Sequence, residues 1–326
     1  MKIVAILLAT MGMMTFGWIA AVFLQTSRPT ASSQWIADAY ALKTAAAQKI
    51  EGKKIVIVAG STALFGIDSK KLEETYRLPV VNFGVNAGLL LPYVLLKSQS
   101  VLKRGDIVIL PLEYHFYTYD GIPNAQMIDQ IWSRDPSFFW KLSWKERLSM
   151  LWMTPISRLV DGFLAQGGSP MMCGPYGYKN LDERGDQTHT SEEEAKQWAT
   201  DWEGLKKELP RRYGAVGNVD SLGWKWLRRY VAWAAQNGIC LIVTPSTMMY
   251  DDSYWKDPEE RRFYEGLKAR IEALGVPFIG NPYSTMYGRE MYFNTDFHLI
   301  DTGREVWTQQ LINDLGSDIS KWCIHG

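Results

Sequence analysis

The sequence predicts an α/β fold in which helices cover both faces of a parallel sheet. Short apolar, β-branched runs alternate with helical stretches over residues 54–114 and 238–315. Strands that alternate with helices in this way form parallel sheets. The stretch of about 115–236 breaks the rhythm, because it is rich in aromatic residues and mostly helical in pattern. We therefore predict a helical, aromatic-rich insertion within one α/β domain over 54–326.

Composition limits the classes of protein that the chain can belong to. Of its 326 residues 47% are hydrophobic and 21% are charged, which is ordinary for a globular protein and excludes wholesale disorder. The 35 Lys and Arg balance the 35 Asp and Glu, and this argues against a nucleic-acid partner, which would require a basic surface. The 14 Trp indicate either a large aromatic core or a surface on which sugar rings stack.

The N-terminus predicts a membrane anchor. Residues 3–24 carry no charge, and their length suffices to cross a hydrocarbon core of about 30 Å. The run is longer than the apolar region of a cleaved signal, so we expect an uncleaved signal anchor over residues 1–28. Lys2 would stay in the cytoplasm, which places the chain in the inner membrane with its domain in the periplasm. Residues 29–53 are interpreted as a linker and a short helix.

The elements of the sheet follow in order along the chain. Apolar β-branched runs ending near Gly or Pro are typical of buried strands, and apolar spacing marks the helices between them. The predicted strands are 54–60, 79–83, 106–112, 238–245 and 276–280. The predicted helices are 69–76, 89–102, 259–274 and 303–315, with a further helix starting at the capping box of Ser191 and Glu194.

The three cysteines fit an exported protein but define no site. Cys240 lies in an apolar strand and is interpreted as a small core residue, whereas Cys173 and Cys323 could form a disulfide. No Cys-x-x-Cys or His/Cys spacing suggests zinc, so we expect neither a metal nor a cofactor.

A serine follows the first predicted strand. Ser61, in the run from Ala59 to Thr62, would sit at the start of a helix, where free N–H groups favour a developing negative charge. The alternative is a serine that only caps the helix. A P-loop is excluded, because no Gly-Lys-Ser/Thr follows.

A turn of Gly and Asn follows the second predicted strand, over residues 82–88. Glycine lets backbone N–H groups face a reacting oxygen, and asparagine side chains can donate as well. The alternative is an ordinary connection between a strand and a helix.

The third candidate segment precedes the last helix. Asp296 lies two residues before His298, and a carboxylate can orient a histidine through Nδ1 while Nε2 takes a proton from a serine. The alternative is a surface pair. Of the other histidines, His115 follows the third strand and is a lesser candidate.

Together these segments resemble the SGNH hydrolase-like family over about residues 54–114 and 238–315. The resemblance implies a flavodoxin-like sheet with Ser61 as the nucleophile and a triad completed by His298 and Asp296. It also implies oxyanion-hole donors from the backbone of Ser61 and from the turn. The donors of the turn would be Gly84, Asn86, Ala87 and Gly88.

Two departures from the family pattern narrow the resemblance. The usual Gly-x-Asn of the third block is replaced by a Pro-Leu-Glu-Tyr run, so Glu113 and Tyr114 become candidates for the rim of the oxyanion hole. The last motif is Asp-x-His rather than Asp-x-x-His. Both features, with the anchor, resemble the branch that O-acetylates bacterial exopolysaccharides such as alginate or cellulose, or D-alanylates teichoic acids.

The function implied is a periplasmic O-acyltransferase, most simply an O-acetyltransferase, that modifies a secreted polysaccharide through an acyl-enzyme. A membrane-bound O-acyltransferase would supply the acyl group, and neutral net charge favours an uncharged acceptor such as cellulose. A polysaccharide deacetylase or esterase with the same triad, or a non-catalytic polysaccharide-binding component of an export complex, are the alternatives. The acceptor platform could come from aromatic residues of the insertion: Trp132, Trp140, Trp144, Trp152, Tyr176 and Tyr178.

Overall fold

The computed structural model describes residues 1–164, 176–197, 210–217 and 219–323. Its strands are β1 (Ile55–Ile57), β2 (Val80–Asn82), β3 (Ile107–Leu110), β4 (Cys240–Val243), β5 (Met248–Met249) and β6 (Met286–Tyr287). Its α-helices are α1 (Lys2–Phe23), α2 (Gln34–Lys49), α3 (Ser61–Gly66), α4 (Ser69–Tyr76), α5 (Leu90–Ser98), α6 (Tyr114–Tyr117), α7 (Ala125–Arg134), α8 (Trp144–Met153), α9 (Ile156–Leu164), α10 (Glu192–Gln197), α11 (Gly214–Gly217), α12 (Leu222–Gln236), α13 (Ser253–Lys256), α14 (Pro258–Glu272) and α15 (Asp301–Leu315).

The chain forms two compact units. The N-terminal unit consists of Met1–Ala37 and Gly121–Met172, and the sheet unit of Asp38–Asp120 and Cys173–Gly326. The predicted insertion is therefore divided, because 121–172 belongs to the N-terminal unit, whereas 115–120 and 173–236 belong to the sheet unit. The predicted domain bounds stay a prediction.

A parallel sheet is the centre of the sheet unit. Its strand order is β2-β1-β3-β4, and every neighbouring pair is parallel. A further parallel bridge joins Val243 of β4 to Phe278. The strands are almost entirely buried, which explains why their sequences are continuously apolar. Because all strands run the same way, the loops after β1, β2, β3 and β4 meet at one edge of the sheet.

The expected α/β class with a parallel sheet is confirmed, and so is the position of its strands. Each predicted strand run except the last contains an observed strand, and the last, 276–280, contains the bridge at Phe278. The predicted helix 69–76 has these bounds in the structure, and α10 begins after the capping box of Ser191 and Glu194.

The observed disulfide corrects the sequence-based interpretation of the cysteines. Cys240 is bonded to Cys323, with their Cα atoms 5.1 Å apart. Cys240 is thus not a small free core residue, and Cys323 is not available to Cys173, which lies outside the described residues. No local sequence pattern indicates this pairing, since 83 positions separate the two cysteines.

The N-terminal unit contains α1 and the helices α7, α8 and α9. Over the described residues, α1 is the one helix long and apolar enough to cross a membrane, and its apolar window is not buried inside the protein. It could therefore be a membrane anchor or a signal sequence. Near its end, Phe23 packs edge-on against Trp132 and Phe139. Trp132 is fully buried, so it cannot belong to the expected aromatic platform.

Candidate functional site

The loops after β1 and β2 approach closely at the carboxyl edge of the sheet. A Cβ atom at Gly60 would lie 2.5 Å from Ala87 Cα and 2.5 Å from Glu113 Oε1. A Cβ at Gly84 would lie 2.6 Å from the carbonyl oxygen of Gly60. Only glycine allows such an approach, so these two positions bring the backbone of the 84–88 turn beside Ser61.

Glu113 binds the backbone on both sides of Ser61. Its carboxylate accepts hydrogen bonds from Gly60 N–H and from Thr62 N–H, each 3.0 Å long. Burial raises the pKa of Glu113 to about 7, and the two backbone hydrogen bonds act in the opposite direction. Glu113 therefore positions the serine turn, and it uses the neighbouring N–H groups rather than leaving them for a substrate.

Two of the expected oxyanion-hole donors are already engaged. Gly84 N–H donates to Asn82 Oδ1 over 3.0 Å, and Gly88 N–H donates to Asn86 Oδ1 over 2.6 Å. Among the described residues, the backbone N–H groups of Ser61 and Ala87 have no such acceptor. With Oδ1 engaged, the Asn86 amide nitrogen is the part of that side chain that could donate. The candidate donors are thus reduced to Ser61, Ala87 and Asn86.

A buried lysine anchors this turn. Lys43 Nζ donates to the carbonyl oxygens of Asn82, Gly84 and Gly185, over 2.9, 2.6 and 2.6 Å. Burial lowers the pKa of Lys43, because the interior disfavours its charge. The sequence did not indicate this role of Lys43, since the residue lies on α2, far from any motif.

Leu90, just after the turn, adopts a φ of 62°, a left-handed backbone that a leucine rarely adopts. Such strain clusters at functional sites, where the surrounding structure enforces it. Its place beside the candidate donors agrees with a preformed site.

His298 lies on the same side of α3 as Ser61. Its ring stacks on Phe65, with the ring centroids 4.1 Å apart and an interplanar angle of 5°. Ser61 and Phe65 are four residues apart on α3, so they occupy one helix face. No hydrogen bond between Ser61 and His298 is present among the described residues. Catalytic hydrogen bonds are often long before substrate binds, so this does not exclude the pair.

Asn294 fixes the orientation of His298. The Nδ1 atom of His298 lies 2.7 Å from Asn294 Oδ1, and Asn294 Nδ2 donates to the Tyr176 hydroxyl over 3.0 Å. Since Oδ1 can only accept, Nδ1 carries the proton and Nε2 is free to accept one. Burial, followed by the positive charge of Arg211, lowers the pKa of His298 to about 3. The imidazole is therefore neutral at neutral pH.

Asp296 occupies a different place from the one expected of a triad carboxylate. Its Oδ2 atom lies 2.9 Å from Nε of Arg211, in a salt bridge. The nearest Nδ1 partner that the structure shows for His298 is Asn294, two positions before Asp296, and the Tyr176 hydroxyl lies 3.4 Å from the same atom. The reason is that the loop turns at Thr295, whose hydroxyl accepts from His298 N–H over 3.2 Å.

Arg211 is a residue of the site that sequence reasoning missed. Its guanidinium lies 5.5 Å from the centre of the Phe297 ring and is partly exposed. The buried carboxylate of Glu260 accepts from Tyr213 N–H and Gly214 N–H, over 3.1 and 2.8 Å, and so fixes the segment that carries Arg211. Arg211 was missed because it lies in the predicted insertion, far in sequence from the three candidate segments.

The remaining candidates divide between site and core. The half-buried ring of His115 packs edge-on against Phe297, 6.2 Å between centroids, and burial and then Arg211 lower its pKa to about 4. Tyr114 is buried, and its hydroxyl donates to the Ser246 carbonyl over 3.0 Å. Tyr114 is thus a core residue and not part of a rim. The side chain of Tyr178 lies outside those described.

The arrangement can support acyl transfer through a serine. It combines a serine at a helix start, two backbone N–H groups and a neutral histidine whose Nδ1 is held. Within the described part of the chain, no group of three His, Cys, Asp or Glu could hold a metal ion. A scan against protein-family models and a search of curated proteins each found no match.

Proposed function

We propose that this protein is a periplasmic O-acyltransferase that transfers an acyl group, most simply acetyl, to a secreted polysaccharide. One observation carries the proposal. His298 stacks on Phe65, one turn along α3 from Ser61, and its Nδ1 is bound by Asn294. The backbone of Ala87 lies against Gly60, the residue before Ser61. These are the groups that nucleophilic acyl transfer requires.

The reaction proceeds in two halves. His298 Nε2 takes the proton of Ser61 as Oγ attacks the acyl carbonyl, and the Ser61 and Ala87 N–H groups stabilise the oxyanion, each by about 3 kcal/mol. The imidazolium returns the proton to the leaving group, which leaves an acyl ester on Ser61. An acceptor hydroxyl then gives its proton to Nε2 and attacks this ester, and the imidazolium returns that proton to Ser61 Oγ as the serine leaves.

The fold supports this assignment. The order β2-β1-β3-β4, extended beyond β4 by the bridge at Phe278, follows the strand order of flavodoxin-like sheets. In open parallel sheets, ligands bind at the carboxyl ends of the strands, where Ser61 and the 84–88 turn lie. This agrees with the resemblance to SGNH hydrolase-like proteins.

Charge and covalent structure support the proposed location and acceptor. The apolar α1 and the Cys240–Cys323 disulfide both favour a protein anchored in the inner membrane and folded in an oxidising compartment. Zero net charge favours an uncharged acceptor such as cellulose. A membrane-bound O-acyltransferase would deliver the acyl group, because one anchor helix cannot carry it across the membrane.

The test measures the intact mass of the full chain in detergent after exposure to an activated acetyl ester, with and without cello-oligosaccharides. We expect an acetyl adduct in the native protein, none in Ser61→Ala, and transfer of the adduct to the sugar. Ser284→Ala is the control, because Ser284 is exposed and its hydroxyl donates to the Asn281 carbonyl of its own turn.

The other outcomes separate the alternatives. An adduct that decays to acetate regardless of sugar identifies an esterase or deacetylase. Absence of a Ser61-dependent adduct contradicts the proposal and favours a polysaccharide-binding component of an export complex.

A further inference from the structure

The two helices α8 and α9 of the N-terminal unit expose large apolar side chains on one side. On α8 these are Trp144, Leu148 and Trp152, spaced four residues apart and between 56% and 78% exposed. On α9 they are Ile156, Val160, Phe163 and Leu164, between 48% and 73% exposed. Such spacing places each set on one helix face, and water-soluble proteins rarely leave contiguous apolar surface of this kind uncovered.

The opposite side of α9 is polar and fixed. Arg158 is buried and bonded to Asp129, with Nε 2.6 Å from Oδ1. It also donates to Gln25 Oε1 over 3.1 Å and to the Arg28 carbonyl over 2.9 Å. Gly162 lies so close to Gln25 that a Cβ atom would not fit. Because these polar contacts hold the helix, its apolar side cannot turn inward.

Helix α8 and the segment before it contact the end of α1. Trp18 Nε1 donates to the Leu151 carbonyl over 2.8 Å, and the rings of Phe23 and Trp140 stack with centroids 6.3 Å apart. Trp18 and Phe23 are five positions apart, so α8 contacts α1 about 7.5 Å along the helix axis from the end of α1. Interfacial helices bury their apolar faces to a depth of about 5–10 Å, which agrees with this position.

Charge and residue type at this surface fit a lipid headgroup region. Lys141, Lys145 and Arg147 flank the exposed tryptophans, and the Arg147 guanidinium lies 5.5 Å from the centre of the Trp140 ring. Tryptophan and basic side chains are enriched where a membrane meets water.

We propose that α8 and α9 lie flat in the membrane interface, with their apolar faces immersed in the bilayer that α1 crosses. The occupant of this surface is lipid. The inference rests on the part of the proposed function that makes α1 an uncleaved anchor. It goes beyond that proposal, because it gives the N-terminal unit a second, lateral attachment to the membrane.

The test uses the full chain in membranes that contain lipids with a clickable acyl chain. A p-benzoylphenylalanine replaces Leu148, Val160 or, as control, Trp255. Trp255 is 51% exposed in the sheet unit, but Asp252 and Lys256 flank it, so it belongs to no apolar stripe. After illumination we expect lipid adducts at positions 148 and 160, at least about fivefold above position 255.

Adducts to another protein at positions 148 and 160, or lipid adducts no stronger than at position 255, would overturn the inference. Two further measurements use the same membranes. One is the resistance of the full chain to alkaline carbonate extraction, and the other is the Ser61-dependent acetyl adduct. If both are intact while lipid adducts are absent, the interfacial surface alone is wrong. If the chain is released by carbonate, the anchor itself is wrong.

Discussion

At the scale of single residues, the site depends on which group holds the histidine. A carboxylate beside His298 Nδ1 would favour the imidazolium, whereas the neutral Asn294 orients the ring without stabilising its charge. Together with burial, this leaves a histidine that stays unprotonated over most of the pH range. Asp296 instead neutralises Arg211, the cation next to the base.

Asn294→Ala should therefore impair acylation more than Asp296→Asn does. Without its Nδ1 partner, the His298 ring can rotate and its proton can move to Nε2. We therefore expect the rate of acetyl-adduct formation to fall about 10²-fold. Asp296→Asn keeps that partner and should cost less than about tenfold. Asn294→Asp keeps the orientation and adds a negative charge, so it should retain activity while the acid limb of the pH–rate profile moves to higher pH. If Asp296→Asn lowers the acylation rate more than Asn294→Ala does, Asp296 is the residue that orients His298.

Arg211→Gln should raise the pKa of His298. The positive charge of Arg211 disfavours the imidazolium, and its removal makes protonation easier. With the pKa at about 3, the native protein should keep a neutral base until the pH falls well below 6.5. In the variant, the acid limb of the acylation rate should lie at higher pH, measured between pH 3 and 8.

Arg228→Gln is the matched control, because Arg228 pairs with Asp220 and does not contribute to the shift of His298. An acid limb that moves equally in both variants would show that Arg211 does not act on His298 through its charge.

At the scale of elements, the regular parts of the fold were predictable and the long-range contacts were not. Buried parallel strands are apolar throughout, so the apolar runs near residues 55, 80, 107 and 240 predicted the strands. Residues such as Lys43 and Arg211 act over large sequence separations and carry no local pattern. The Ser61 and His298 motifs could be found because their residue types imply chemistry. Asn294 lies in the same segment, but Asp296, two residues later, fitted the expected pattern of a catalytic triad better.

Gly60→Ala should disrupt the serine turn. The added methyl would overlap Ala87 and Glu113, and overpacking of this kind costs about 1–3 kcal/mol. We expect a lower thermal midpoint and loss of the acetyl adduct. Gly266→Ala is the control, because nothing lies within 4 Å of its Cβ position in α14, where alanine should add about 1 kcal/mol of stability. A Gly60→Ala protein with native stability and acylation would show that the close approach of the two loops is not required.

At the scale of the whole molecule, one covalent bond contributes to the stability of the sheet unit. The Cys240–Cys323 disulfide joins β4 to the segment after α15, so it closes a loop that includes β5, β6 and the His298 loop. A crosslink over such a loop restricts the unfolded chain, and this stabilises the folded state by about 4 kcal/mol. The last part of the site is thereby tied to the sheet.

Reduction should therefore destabilise the sheet unit, but only while Cys240 and Cys323 are both present. Reductant should lower the thermal midpoint of the native protein, whereas Cys323→Ser should start from the lower midpoint and respond to reductant no further. Cys173→Ser is the control and should keep the full response, because the bond that matters does not include Cys173. Peptide mapping of the unreduced protein should find Cys240 linked to Cys323. A peptide that joins Cys173 to Cys323, or a Cys173→Ser protein that no longer responds to reductant, would replace this pairing with the one first expected from the sequence. The His298 loop would then lose its covalent tie to β4.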